Sequence, residues 1–339
     1  MPLTWAVMRF PRRTPPVSSD VPAHARPDVA VSNSSLTPRS RRQFLALGGA
    51  AALGGLAASC AGDESSPEPT DAQNAPGDLP DGDATPSEPE GFVVVQRYPS
   101  GQRLTPGDVR LAFSIADSKG SLLPEGPAVI TGVVRDERGD TIGTVEAPRR
   151  GTGLDVPYWT ITTEIPKRGL YEFALDGAIG DPTPFLIFDA SEVSIPAVGT
   201  ALPPVETPTA DNPRGVDPVC TRLDGPCPFH DVTLTDALAA GKPVVYLIGT
   251  PAHCQTATCG PGLEFLIDAS KQYADVATFV HAEVYADPEA TEVAPAVTDY
   301  TLDYEPVIWI TDAAGTVVRR IDIVWDADEL GQLLAESLA

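Results

Sequence analysis

Two cysteines at a strand-to-helix junction constrain this chain more than any other feature. The stretch Pro243 to Tyr273 reads PVVYLIGTPAHCQTATCGPGLEFLIDASKQY. Val244 to Ile248 is β-branched and aromatic, the composition of a buried strand, and an apolar-periodic helix follows, opened by Pro261. Cys254 and Cys259 occupy the loop between them. Free backbone N–H groups and the positive end of the helix dipole stabilise a thiolate there, which lowers a thiol's pKa. Two residues five apart in a regular helix lie about 9 Å apart on different faces, too far for a disulfide. The two cysteines therefore cannot both sit within one regular helix and be bonded, and a helix opening at Pro261 leaves them in the preceding loop.

The rest of the chain sets bounds on that reading. Its 339 residues exceed one ordinary domain and suggest about two once tails are removed. The net charge is -24, and because residues 1–60 carry seven Arg against two Asp, the remainder carries -29. Such a surface excludes a nucleic-acid partner and repels anionic lipid, so membrane association requires an anchor.

In chain order, Ser40-Arg41-Arg42-Gln43-Phe44-Leu45 resembles a twin-arginine export signal, which carries folded proteins. The apolar run Phe44 to Ala58 is too short to span a membrane and suits a signal-peptide core. Leu56-Ala57-Ala58-Ser59-Cys60 resembles a bacterial lipobox, departing from it at Ala57, and implies lipidation at Cys60. Ala61 to Gly91 holds nine acidic residues and no Lys or Arg, and is rich in Pro, Gly and Ser, the composition of a disordered tether.

Residues 92–190 read as all-β. Val109, Leu111, Phe113 and Ile115 alternate with Arg110, Ala112, Ser114 and Ala116, and Trp159, Ile161, Thr163 and Ile165 repeat the pattern. About seven short strands suit an immunoglobulin-like sandwich with a spacer or docking role. A Pro-rich connector, 191–215, leads to a region, 216–339, whose predicted order is α-β-α-β-α-β-β-α. Its last helix opens with Asp326 as N-cap and Glu329 three residues on, a capping box flanked by Trp325 and Leu330.

That order, the Gly241-Lys242-Pro243 entry to the cysteine-bearing strand, and Glu305-Pro306-Val307-Ile308-Trp309 before a hairpin resemble the thioredoxin-like superfamily, especially its extracytoplasmic bacterial members. The resemblance implies an α/β fold with a central mixed sheet flanked by helices. It also implies a cis-proline at Pro306 packed against the active-site cysteines, and thiol-disulfide exchange by Cys254 as nucleophile and Cys259 as resolver. Helix geometry argues the other way, since Cys259 lies nearer the helix start.

The spacing departs from C-x-x-C. C-x4-C occurs in atypical peroxiredoxins, whose P-x-x-x-T-x-x-C signature fails here, with Pro251 three and Thr250 four residues before Cys254. Sco-type copper chaperones combine a cysteine pair with a histidine, which makes His253 and His281 an alternative ligand set, set against a core role for His281. A non-catalytic binding module with structural disulfides is a further alternative.

Cys220 and Cys227, separated by six residues that include Gly225 and Pro226, are expected to form a structural disulfide in an oxidising compartment. Closing that loop stabilises by about 2.5 kcal/mol. The competing readings are a second redox pair or a metal site with His230. The sequence therefore predicts an exported, lipid-anchored monomer at the extracytoplasmic face of a prokaryotic membrane, acting on proteins with thiols or disulfides and using no cofactor.

Overall fold

The computed structural model describes residues 91–99 and 102–339; Arg41, Arg42, Cys60 and all of the acidic tether except Gly91 lie outside them. Seven strands, β1 (Val93–Gln96), β2 (Gly107–Ala116), β3 (Val129–Asp136), β4 (Thr141–Arg150), β5 (Tyr158–Ile165), β6 (Gly169–Leu175) and β7 (Thr183–Ile187), form the amino-terminal sheet. Their order is β1-β2-β5-β4-β3-β6-β7, and every pairing is antiparallel.

Where a sandwich of two layers was expected, the strands join as one folded sheet, because β4 belongs to both halves. Thr141 to Pro148 pair with β3, then Arg149 and Arg150 pair with Trp159 and Tyr158 of β5. The free edges approach as well: Ile179 N–H donates to the Phe92 carbonyl at 2.7 Å and Phe188 N–H to that of Leu104 at 2.8 Å. This nearly closed sheet wraps a core that includes Leu111, Phe113, Trp159, Ile161, Tyr171 and Phe173.

The carboxy-terminal part follows the predicted order: α1 (Leu234–Ala239), β8 (Val244–Ile248), α2 (Cys259–Ser270), β9 (Thr278–Ala282), α3 (Pro295–Asp299), β10 (Val307–Thr311), β11 (Val317–Asp322) and α4 (Ala327–Ser337). The strands order β11-β10-β8-β9, with β8 and β9 parallel and the other pairs antiparallel. Every residue of β8 and β10 is buried. Side-chain alternation sends Tyr246, Ile248, Val307 and Trp309 to one face, and Val245, Leu247, Ile308 and Ile310 to the other, where Leu263, Leu266, Leu330 and Leu334 of α2 and α4 cover them.

The Pro-rich connector is packed onto this second sheet. Ile195, Leu202 and Val205 are buried in its core, and the carbonyls of Pro196 and Pro203 accept from Trp309 Nε1 at 3.0 Å and the Tyr300 hydroxyl at 2.6 Å. Polar contacts join the two sheets directly. Arg110 of β2 makes a two-point ion pair with Glu329 of α4, at 2.8 and 2.7 Å, and the Tyr158 hydroxyl donates to Glu329 at 2.5 Å.

This changes the expected capping box. Asp326 caps α4 by accepting from Glu329 N–H at 2.8 Å, but Glu329 does not return the bond. Its carboxylate serves Arg110 and Tyr158, while Asp326 N–H donates to the Tyr158 hydroxyl at 2.8 Å.

Candidate redox site and a second sulfur cluster

Strand β8 ends at Ile248, and the chain turns through Gly249 and Thr250 into the cysteine loop. Cys254 and Cys259 are bonded as a disulfide, with Cα atoms 5.9 Å apart. The helix starts at Cys259, two residues earlier than predicted, and Pro261 is tolerated because N–H groups in a first turn have no helical partner. Cys254 remains in the loop, so the pair escapes the distance limit that applies within one regular helix.

The two sulfurs differ in surroundings. Cys254 is half-buried, and its Sγ accepts the N–H of Cys259, the first residue of the helix, at 3.2 Å. The Thr256 hydroxyl lies 3.2 Å from the same sulfur and 2.6 Å from that of Thr258, whose own proton goes to the Ile323 carbonyl. Cys259 is only 2% exposed. The Glu305–Pro306 peptide is cis, and Gly249 brings the β8 end close to both: a Cβ there would lie 3.2 Å from Pro306 Cβ and 3.8 Å from Cys259 Cβ.

Glu305 was not anticipated as a site residue. Its Oε2 accepts the Thr250 N–H at 2.8 Å and lies 3.6 Å from Cys259 Sγ, while Oε1 is buried without a partner. Burial pushes its carboxyl up to about 8, against the opposing bond from Thr250. The one signal in the sequence was an acidic residue one position before Pro306 and the apolar run Val307 to Ile310.

Cys220 and Cys227, expected as a disulfide, are instead separate buried thiols. Cys220 Sγ lies 3.8 Å and Cys227 Sγ 3.4 Å from Nδ1 of His281, and that nitrogen is 3.2 Å from Nε2 of His230. The two histidines supply the reason: the sulfurs turn toward shared imidazole nitrogens, and all four ligand atoms fall within 4.8 Å of one another. The hydrogen bond from Cys227 lowers the Cys220 pKa, helped by His230 and His281 against burial, and the same bond raises that of Cys227.

The alternative pairing of His253 with His281 is not assembled. His253 packs edge-on against Tyr285 at 5.8 Å, whereas His281 belongs to the Cys220 cluster. The clusters are neighbours, joined by Thr221: its Oγ1 accepts the Ala252 N–H at 3.1 Å, and its N–H donates to Glu283 at 2.5 Å. Burial raises the Glu283 pKa.

No family model matches the chain, and no curated protein does. Among solved structures it is similar to a thiol:disulfide interchange protein of the thioredoxin family from Chlorobium tepidum TLS. That match has 15% identity and a TM-score of 0.31, and covers 42% of this chain and 99% of the other.

Proposed function

We propose that this chain is a thioredoxin-like thiol-disulfide oxidoreductase acting through Cys254 and Cys259. The observation that carries the reading is the asymmetry of the pair: a half-buried sulfur receiving a helix N–H, bonded to a buried one beside a carboxyl group. In the reducing direction the Cys254 thiolate attacks one sulfur of a substrate disulfide, and the other sulfur leaves as a thiolate that takes a proton from water. Cys259 then gives its proton to Glu305 in its ionised form, populated as pH approaches about 8, and attacks Cys254 in the mixed disulfide. The second substrate sulfur leaves, and the Cys254–Cys259 bond forms. The oxidising direction is the exact reverse.

The place of Pro306 beside the pair, at the end of β8, supports the same class. In this reading residues 216–339 are the redox domain, 92–190 a nearly closed β-sheet domain docked on it, 191–215 the connector and 61–91 the tether. The export motif at Arg41 and Arg42 and the lipobox at Cys60 support a monomer anchored at the extracytoplasmic membrane face, where its substrates are other proteins.

The reading is tested by mixing Cys259→Ser and Cys254→Ser chains with a disulfide-containing protein such as insulin. The Cys259→Ser chain is expected to accumulate a mixed disulfide through Cys254, and Cys254→Ser to form none. Both lose at least about 10²-fold in turnover. A mixed disulfide trapped only in Cys254→Ser would reverse the roles, and unchanged reductase activity in both would end the proposal.

A further inference from the structure

The mechanism above leaves four buried, chemistry-bearing side chains unused: Cys220, Cys227, His230 and His281, each at most 5% exposed. A tetrahedral zinc ion with bonds of about 2.3 Å to sulfur and about 2.0 Å to nitrogen implies sulfur–nitrogen edges of about 3.5 Å and a nitrogen–nitrogen edge of about 3.3 Å. The corresponding distances are 3.8, 3.4 and 3.2 Å. These three edges, which meet at His281 Nδ1, match a tetrahedral shell, and the remaining pairs of ligand atoms lie within 4.8 Å of one another.

The hydrogen bonds of His281 and of the Cys227 backbone fit the same geometry, while His230 Nδ1 is buried without a partner. His281 Nε2 lies 2.9 Å from the Gly249 carbonyl, an acceptor only, so Nε2 carries the proton and Nδ1 turns its lone pair to the sulfurs. A carbonyl holding the outer N–H is how metal-bound histidines are oriented. Cys227 N–H points at Cys220 Sγ at 3.4 Å, a donor suited to a thiolate. The segment 219–231 contains neither helix nor strand and yet buries Cys220, Cys227, Phe229 and His230, so side chains rather than backbone pairing must hold it in place.

We propose that Cys220, Cys227, His230 and His281 form a closed tetrahedral site for a divalent ion of the zinc class, which fastens the 219–231 segment beneath the redox loop. Two thiolates and two neutral imidazoles balance the charge of a divalent ion, and binding releases the thiol protons to solvent. Four protein ligands, all buried, leave no open position for substrate, so the ion is structural. Its loop bears on the redox site through His281 at Gly249 and Thr221 at Ala252. The site stands on its own residues, whatever the outcome for Cys254 and Cys259.

The test uses the full chain, purified under reducing conditions and analysed for metals, then stripped and titrated with zinc chloride or cobalt chloride. The expected result is about one zinc per chain and, with cobalt, the intense visible bands and sulfur-to-metal charge transfer of a tetrahedral dithiolate site. Cys220→Ser and His281→Ala should lower affinity at least about 10-fold, whereas a Cys254→Ser/Cys259→Ser chain should bind as the parent does. The wild-type titration serves as the measurement that does not depend on a variant folding.

Four results would overturn the proposal. These are no cobalt spectrum in the reduced wild-type chain, a Cys220–Cys227 disulfide mapped in protein purified without reductant, copper as the ion found, or metal binding lost with Cys254 and Cys259 and kept without Cys220.

Discussion

Glu305 illustrates how one buried side chain couples stability to chemistry. Its carboxyl is pushed from 4.5 up to about 8 by burial, so between those values the folded chain holds a proton that the unfolded chain has released. Stability therefore falls as pH rises across that window, because the unfolded state binds fewer protons. Glu305→Gln removes the titration, and its denaturation midpoint is expected to vary less from pH 5 to pH 8 than that of the parent. The same substitution removes the proton acceptor for Cys259. Resolution of a preformed mixed disulfide should slow about 10²-fold and lose its rise near pH 8. Stopped-flow measurement of product thiol release checks both, and an unchanged pH–rate profile would remove Glu305 from the mechanism.

At the scale of elements, α2 is held by its contact with the turn before α4. Trp325 is 1% exposed, and its Nε1 donates to the Gly262 carbonyl at 3.1 Å. A Cβ at Gly262 would lie 2.9 Å from ring atom Cζ2 of that tryptophan. In an exposed helix, Gly to Ala gains about 1 kcal/mol, but here the ring is walled in and cannot yield. Gly262→Ala is expected to destabilise by about 1 to 3 kcal/mol, read as a lower urea midpoint with unchanged slope. A raised midpoint would show that α2 can slide away from Trp325. The predicted staple residues Trp325 and Leu330 are both buried in this core, so the apolar half of that reading survives although Glu329 turns elsewhere.

Across the whole molecule, the two sheets are joined by an ion pair almost withdrawn from water. The side chains of Arg110 and Glu329 are 13% and 5% exposed. Removing one partner leaves the other charged, buried and uncompensated, which costs about 3 to 5 kcal/mol. Arg110→Ala is expected to lower stability by that amount, and adding Glu329→Leu to recover part of it. Trp159 reports on the first sheet, and Trp309 and Trp325 on the second, so unfolding of single-tryptophan variants compares them directly. Coincident midpoints are expected in the parent chain, and separated ones would show that the sheets unfold independently. The proposed anchor is tested at the same scale. Cys60→Ser should move the exported protein from the membrane to the soluble fraction, and retention through a high-salt wash would assign binding to another segment.

Local patterns were enough to locate the secondary structure and the cysteine pair at its strand-to-helix junction. Alternation exposed the strands, Asp326 marked the start of the last helix by capping it, and the C-x4-C spacing required at least one cysteine to sit outside the helix. These properties depend on neighbours within a few residues, which a sequence displays. Contacts between distant segments were not legible. Cys220 and His281 are 61 residues apart, and a Cys220–Cys227 disulfide was preferred to a metal site with His230 until β9 brought His281 to both sulfurs. Arg110 and Ala112 read as the solvent face of β2, yet the second sheet covers that face and turns it into interface. Glu305 became part of the site only when β10 brought it to the end of β8, where the low dielectric holds its proton. A chain's periodicity decides which face of a strand is apolar; what is packed against the other face is decided by the tertiary fold, and here that packing sets the chemistry.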